Sequence, residues 1–107
     1  MAGNYYISHY TNSYGQSLSD LVSSPDMQSA INYYGNRELG LDLFFIQKTS
    51  IDITINEGAQ YAWKVSENGQ RYNVLANNIS NVYEYFSDNY GWGTPNISIM
   101  NDNLINV

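Results

Sequence analysis

The sequence predicts an α+β fold, namely an antiparallel meander sheet of four to six strands with two or three short helices packed on one face. Residues 59–76 alternate polar and apolar side chains around Asn68-Gly69, a dipeptide typical of a two-residue hairpin turn. Residues 50–56 alternate in the same way, as half-buried antiparallel strands do. Two segments, 25–34 and 79–90, instead carry apolar residues at helical spacing. Because the apolar face of the sheet needs a covering layer, we expect the helices to pack on it.

The register of the hairpin follows from matching apolar residues across its turn. A two-residue turn at Asn68-Gly69 places Trp63 opposite Val74 and Val65 opposite Tyr72. A slip of one residue would move Trp63 and Val65 to the polar face, so the register is well specified. We therefore predict that Trp63 faces the core.

The first third of the chain is predicted to be one strand followed by helices. Asn4–Thr11 is rich in aromatic and β-branched residues, which favour a strand. Ser17 is a candidate cap for a short helical turn. Ser24, which precedes a proline, is typical of a helix start, so we predict a helix over residues 25–34. Gly35 is the candidate left-handed residue at its C-terminal end.

The middle of the chain is predicted to be a run of strands. Residues 41–48 form a short apolar run, which indicates a buried central strand. Together with residues 50–56 and the hairpin, this run predicts a four-stranded meander over 41–76. The connections are short, as expected for antiparallel neighbours.

The last third of the chain is predicted to contain a second helix and a short strand. Residues 79–90 carry the helical pattern, with Asn81 and Glu84 as an analogue of a capping box and Gly91 at the end. Residues 96–100 follow a loop and have room for one more strand. The sequence shows no long internal repeat and no linker.

Length and charge limit the number of domains and the class of partner. At 107 residues the chain is predicted to form one domain, residues 1–107. Its net charge is −6 and it has only four Lys and Arg residues. Nucleic acids and anionic membranes are bound through basic patches, which this composition cannot supply. We therefore expect no nucleic-acid partner and no membrane partner.

The absence of cysteine and the single histidine remove most metal and cofactor chemistry. A chain without cysteine has no disulfides, no reactive thiol and no Cys-ligated zinc. One histidine leaves zinc and copper without enough ligands, and no glycine-rich phosphate loop is present. We expect no metal and no cofactor. The chain has no signal-peptide pattern, so the predicted location is the cytoplasm, or a host cell if the protein is viral.

The histidine offers one route to catalysis. The tripeptide His9-Tyr10-Thr11 follows an aromatic strand and resembles the nicotinamide-binding motif that opens some ADP-ribosyltransferases. The resemblance covers these three residues, and the catalytic glutamate of that family has no recognisable counterpart in this sequence. It implies a small enzyme that uses His9. The alternative is that His9 is a partly buried strand residue that makes one hydrogen bond.

Aromatic residues are the most distinctive part of the composition. Eleven Tyr, three Phe and two Trp residues make the chain 15% aromatic, and such side chains are enriched where proteins bind partners. Trp92 lies between two glycines and outside any periodic apolar stripe. It is predicted either to anchor a partner or to fold back as a plug over the sheet. We predict a partner-binding set of Trp92, Tyr90, Tyr14 and Tyr10.

By elimination, the sequence favours a small non-enzymatic protein-binding domain that acts through an aromatic, weakly acidic surface. An inhibitor, an immunity-type protein or a viral accessory protein would have these properties. The alternative is a carbohydrate-binding module that uses exposed Trp and Tyr rings. A third hypothesis is a small enzyme such as an ADP-ribosyltransferase-like protein using His9. The expected partner is a protein, carbohydrate is the second choice, and homo-oligomerisation stays open.

Overall fold

The computed structural model describes residues 4–35 and 43–107, and these form eight strands and two helices. Along the chain they are β1 (Asn4–Thr11), β2 (Ser17–Ser24), α1 (Met27–Gly35), β3 (Leu43–Thr49), β4 (Ile53–Thr54), β5 (Tyr61–Glu67), β6 (Gln70–Ala76), α2 (Ile79–Tyr90), β7 (Asn96–Ile99) and β8 (Asn103–Asn106). None of the helices in these ranges is long and apolar enough to cross a membrane.

The strands form two four-stranded sheets, in the orders β3-β1-β2-β8 and β4-β6-β5-β7. The chain accordingly divides into two compact units, one made of residues up to Ser50 together with Asn101–Val107, the other of Ile51–Met100. The fold is mixed α/β and broadly compatible with the predicted α+β class. The predicted single antiparallel meander is wrong, because β3 pairs with β1 and because each sheet contains one parallel pair.

The two units share one topology, although the sequence shows no repeat. In each unit an antiparallel hairpin is followed by a helix, and the next strand pairs antiparallel with the first strand of the hairpin. The fourth strand of each sheet pairs in parallel with the second hairpin strand. Thus β8 follows β7 along the chain but pairs with β2, and β4 follows β3 but pairs with β6.

The predicted hairpin is confirmed in turn and register. Asn68 and Gly69 have φ angles of 55° and 81°, as a type I′ turn requires. Trp63 pairs with Val74, and Val65 pairs with Tyr72. The strand Asn4–Thr11 is confirmed with the predicted bounds.

Three strand predictions need correction. Ser17 begins strand β2, not a helical turn, because β2 pairs with β1 along its whole length. The apolar run after residue 41 forms an edge strand, β3, in which Phe45 is 52% exposed; residues 41 and 42 lie outside the described ranges. The alternating segment 50–56 contributes only the short strand β4, which is parallel to its neighbour.

Both predicted helices form, but each begins with a different cap. The helix α1 starts at Met27, and the carboxylate of Asp26 accepts a 2.7 Å hydrogen bond from the Ser29 amide. That bond holds the pKa of Asp26 below its usual range. Gly35 is the last residue of α1 and does not take the left-handed conformation.

The cap of α2 lies three residues before the predicted one. The side chain of Asn78 accepts a 2.9 Å hydrogen bond from the Asn81 amide, so Asn78 caps the helix and the proposed pairing of Asn81 with Glu84 does not. Gly91 ends the helix with a φ of 68°, as predicted. An asparagine cap satisfies one of the amides that the first helical turn leaves unpaired.

Each unit has its own core between its helix and its sheet. In the first unit the buried cluster consists of Tyr6, Val22, Ala30 and Tyr34. In the second unit it consists of Val65, Val74, Ala76, Val82, Phe86 and Trp92. Trp63 is only partly buried, and its indole N–H donates to the carbonyl of Ala76 at 3.0 Å.

The left-handed glycine of the hairpin turn yields a stability prediction. Gly69→Ala should lower the free energy of unfolding by about 1 kcal/mol, because a Cβ disfavours its φ of 81°. Gly93→Ala is the matched control, since Gly93 lacks that conformation and a Cβ there would meet no atom within 4 Å. Urea unfolding of both variants measures the difference, and equal midpoints would contradict the assigned turn.

Candidate functional site

The four predicted partner-binding residues are divided between the two units. Tyr10 and Tyr14 belong to the first unit, whereas Tyr90 and Trp92 belong to the second. Each pair therefore has to be judged in its own unit.

Trp92 is buried in the core of the second unit and is only 5% exposed. Its ring stacks on Phe86, with 5.0 Å between ring centroids and 14° between planes. Gly91 turns the chain back over the helix, and the Trp92 amide then donates to the carbonyl of Phe86 at 3.2 Å. The structure thus places Trp92 as the plug and corrects the expectation of an exposed anchor.

The three predicted tyrosines have different surroundings. Tyr90 is 39% exposed, and its ring centroid lies 5.4 Å from those of Trp92 and Tyr72. Tyr14 is 88% exposed in the turn between β1 and β2. Tyr10 is partly buried, and its hydroxyl lies 3.4 Å from the carboxylate of Asp20.

His9 makes a cross-strand contact with Ser19, its direct register partner in β2. The His9 Nδ1 lies 2.8 Å from the Ser19 Oγ, and the imidazole stacks on Phe45 with 6.1 Å between centroids. The neighbouring carboxylate, that of Asp102, accepts from the backbone amide of Ser19 and not from the imidazole. A nucleophile and a base are thus adjacent, but within residues 4–35 and 43–107 the base contacts no orienting carboxylate, which the Ser-His-Asp arrangement uses.

A polar cluster lies within the core of the first unit and was not anticipated from the sequence. Asp20 is 3% exposed, and its carboxylate accepts a 2.6 Å hydrogen bond from the Tyr34 hydroxyl and a 3.0 Å bond from the side-chain Nδ2 of Asn103. The Ser8 hydroxyl donates to the Tyr34 hydroxyl. The cluster therefore ties β1, β2, α1 and β8 together through one carboxylate. The serine-rich sequence of β2 has no polar–apolar pattern that would indicate a buried aspartate.

The tyrosines of this polar cluster are held in their protonated form. Burial raises the pKa of Tyr34 above its ordinary value, and its hydrogen bond to Asp20 raises it further. Burial also raises the pKa of Tyr10, and the charge of Asp20 adds to this effect. Neutral hydroxyls remain donors to the carboxylate, which stabilises the arrangement.

The second unit has a polar cavity beside α2, with a volume of about 220 Å³. It is lined by Ile55, Asn56, Asn81, Glu84, Tyr85, Asp88 and Asn89. Asn56 is fixed by accepting hydrogen bonds from the Asn77 amide at 2.9 Å and from the Asn81 side chain at 3.0 Å. The volume suits one side chain or one small ring, because drug-sized ligands need roughly 300 Å³ or more.

Hydrogen-bond acceptors predominate in this cavity. Among the residues that the structure describes, no group donates to the carboxylates of Glu84 and Asp88 or to the side-chain oxygens of Asn81 and Asn89. The side-chain nitrogens of both asparagines are already used, on Asn56 and on the carbonyl of Tyr85. The cavity can thus accept several hydrogen bonds while offering few.

The helix α2 also exposes three apolar side chains, here called its apolar flank, next to the carboxylates of Glu84 and Asp88. Ile79, Tyr83 and Tyr90 are 41%, 44% and 39% exposed. Glu84 follows Tyr83 directly and so lies ~100° further round the helix. The sequence of α2 contains no Lys or Arg. One helix therefore presents exposed apolar side chains beside unpaired carboxylates, and only Tyr90 of these was predicted as a site residue.

Over residues 4–35 and 43–107, no group of three or more His, Cys, Asp or Glu side chains is arranged to hold a metal ion. No family model matches the chain, and no curated protein or solved structure is significantly similar to it.

The burial of Trp92 yields a prediction opposite to that for an exposed anchor. Trp92→Ala should lower the free energy of unfolding by about 3–5 kcal/mol, as for large aromatic residues in a core. Tyr14→Ala is the control and should change it by less than about 0.5 kcal/mol, because that ring is exposed. Urea unfolding provides both values, and similar midpoints for the two variants would refute the plug.

The raised pKa of Tyr34 predicts instability in alkali. Its folded pKa lies above that of an unfolded tyrosine, so its contribution is complete below about pH 10 and is lost as the pH rises further. The unfolded chain then loses the proton first. Above that pH the free energy of unfolding should fall less steeply with pH in Tyr34→Phe than in the parent. The difference between the two slopes should correspond to about one proton. Tyr14→Phe is the control, and equal slopes in parent and Tyr34→Phe would contradict the assignment.

Proposed function

We propose that this chain is a small, non-enzymatic protein-binding domain and that α2 forms its binding surface. The observation that carries the proposal is the combination on one helix of exposed apolar side chains with unpaired carboxylates and no basic residue. This combination corresponds to the aromatic, weakly acidic surface that the composition suggests. An inhibitor, an immunity-type protein or a viral accessory protein would use such a surface.

The apolar flank, Ile79, Tyr83 and Tyr90, supplies the central contact. Tyrosine gives a large contact area at a small cost in side-chain entropy, and it is enriched among residues that dominate binding energy. Tyr90 is also held in place, because its ring packs on Tyr72 and Trp92. A ring that is already ordered loses less entropy on binding than a mobile one.

The cavity beside α2 indicates the charge of the partner. Its carboxylates and free amide oxygens match the five N–H donors of a guanidinium, which has no acceptor of its own. A neutral sugar hydroxyl both donates and accepts, so it fits an acceptor-rich cavity less well. The net charge of −6 would also speed the approach of a basic partner. We therefore propose a protein that inserts an arginine side chain between Glu84 and Asp88.

A binding experiment with matched variants tests this proposal. Proteins captured by the immobilised chain are identified and purified, and their affinities are measured by calorimetry. Tyr83→Ser should weaken binding about tenfold or more, as expected for an interface anchor. Replacing Glu84 and Asp88 by Gln and Asn should weaken it about tenfold and reduce its salt dependence. Tyr14→Ser and Glu67→Gln make the same chemical changes at residues that belong neither to α2 nor to the cavity lining, and they should have no effect.

Two outcomes would refute the proposal. One is a partner whose affinity is unchanged by the α2 variants or equally reduced by the control variants. The other is saturable binding of a neutral sugar, read from the side-chain amide resonances of Asn81 and Asn89, with no response to methylguanidinium. The second outcome would support the carbohydrate-binding alternative instead.

A further inference from the structure

An aspartate directly before each parallel edge strand makes the same pair of hydrogen bonds to the neighbouring strand. In the first unit the amide of Asp102 donates to the carbonyl of Ser19 at 2.7 Å, and its carboxylate accepts from the Ser19 amide at 2.8 Å. In the second unit Asp52 makes the same two bonds with Asn73, at 2.7 Å and 2.8 Å. This aspartate contact therefore does not distinguish the two strands.

The residue after each aspartate does distinguish them. Asn103 pairs with Asp20, and its side chain donates to the buried carboxylate at 3.0 Å. Ile53 pairs with Val74 and packs against the apolar core of the second unit. A polar residue thus meets a polar position in one sheet, and an apolar residue meets an apolar position in the other.

Exchanging the two strands would break both matches. An isoleucine opposite Asp20 would remove a donor from a carboxylate that is 3% exposed, and a buried charge that loses a partner is costly. An asparagine opposite Val74, which is fully buried, would place an amide against apolar neighbours. Both sheets have the same topology and the same aspartate contact, and the first pair after the aspartate is polar in one sheet and apolar in the other.

We infer that the pairs Asp20–Asn103 and Val74–Ile53 sort the two parallel strands, assigning β8 to the first sheet and β4 to the second. Buried polar pairs are known to specify register and partner at some cost in stability. The polar cluster around Asp20 then selects β8 as the strand that pairs with β2. The role of this cluster is to determine strand pairing, and no ligand is involved.

The first test follows the position of β8 with a disulfide. The chain has no cysteine, and Ser23 and Asn106 are register partners on neighbouring strands, at a spacing that a disulfide can bridge. In Ser23→Cys/Asn106→Cys, oxidised glutathione should form this bond readily. Adding Asn103→Ile should slow its formation about tenfold. Adding Asp20→Val as well recreates the Val–Ile pair of the second unit and should restore the rate.

The second test exchanges the two residues that distinguish the strands, Ile53 and Asn103. In Asn103→Ile/Ile53→Asn, nuclear Overhauser contacts between Leu21 and Leu104, which are register partners, should weaken. Contacts between Leu21 and Thr54 should replace them. Ile53→Ala alone, which puts no donor at position 53, is the control and should leave the disulfide rate of the first sheet unchanged.

Each result decides the inference. An unchanged disulfide rate in Asn103→Ile would overturn it, as would retention of the Leu21–Leu104 contacts at parental stability in the exchanged variant. If Asn103→Ile does not fold, the Asp20→Val double variant must recover folding, and failure to do so also overturns it. Recovery of both folding and disulfide formation in the double variant supports it.

Discussion

The first sheet of this protein depends on one strand, β8, that comes from the far end of the chain. The β2–β8 pair joins residues far apart in sequence, since Asp20 and Asn103 are separated by 83 positions. Such contacts form late, because closing a long loop costs entropy before any contact is gained. The hairpins and helices are local and can form first. The strand β8 therefore completes a sheet whose other strands are already in place, and the choice between two similar positions has to be made by side chains.

The same topology is filled by two different cores. The second unit stacks Phe86 on Trp92 and packs Tyr72 beside them. The first unit instead buries Asp20 under Tyr34. Because the second unit shows that the topology does not require a buried carboxylate, the polar cluster is not needed for packing alone. The donors to Asp20 in the part of the chain that the structure describes are all neutral, so its charge is compensated by hydrogen bonds, an arrangement that gives specificity more reliably than stability.

Local signals in the sequence predicted local structure well. Asn68-Gly69 fixed both turn and register, and Gly91 marked the end of α2, because a positive φ depends on the residue itself. The errors concern pairing. Ser17 can cap a helix as well as begin a strand, and nothing near it in sequence shows that β1 lies alongside. The site was only partly predictable for the same reason, since Tyr90 is exposed and Trp92 is buried although only Gly91 separates them.

The burial of Trp92 also shapes the proposed binding surface. Gly91 reverses the chain at the end of α2, and the indole then covers Phe86. Trp92 and Tyr72 together support the ring of Tyr90, which stays 39% exposed beside Tyr83. The core and the surface are thus built from one aromatic stack, with the inner rings stabilising the fold and the outer ring presented in a fixed position. An anchor supported in this way binds at a lower entropic cost than a free loop tryptophan would. The plug at Trp92 thus removes the loop anchor that the sequence favoured, and the proposed surface depends instead on the exposed side chains of α2, among them Tyr90.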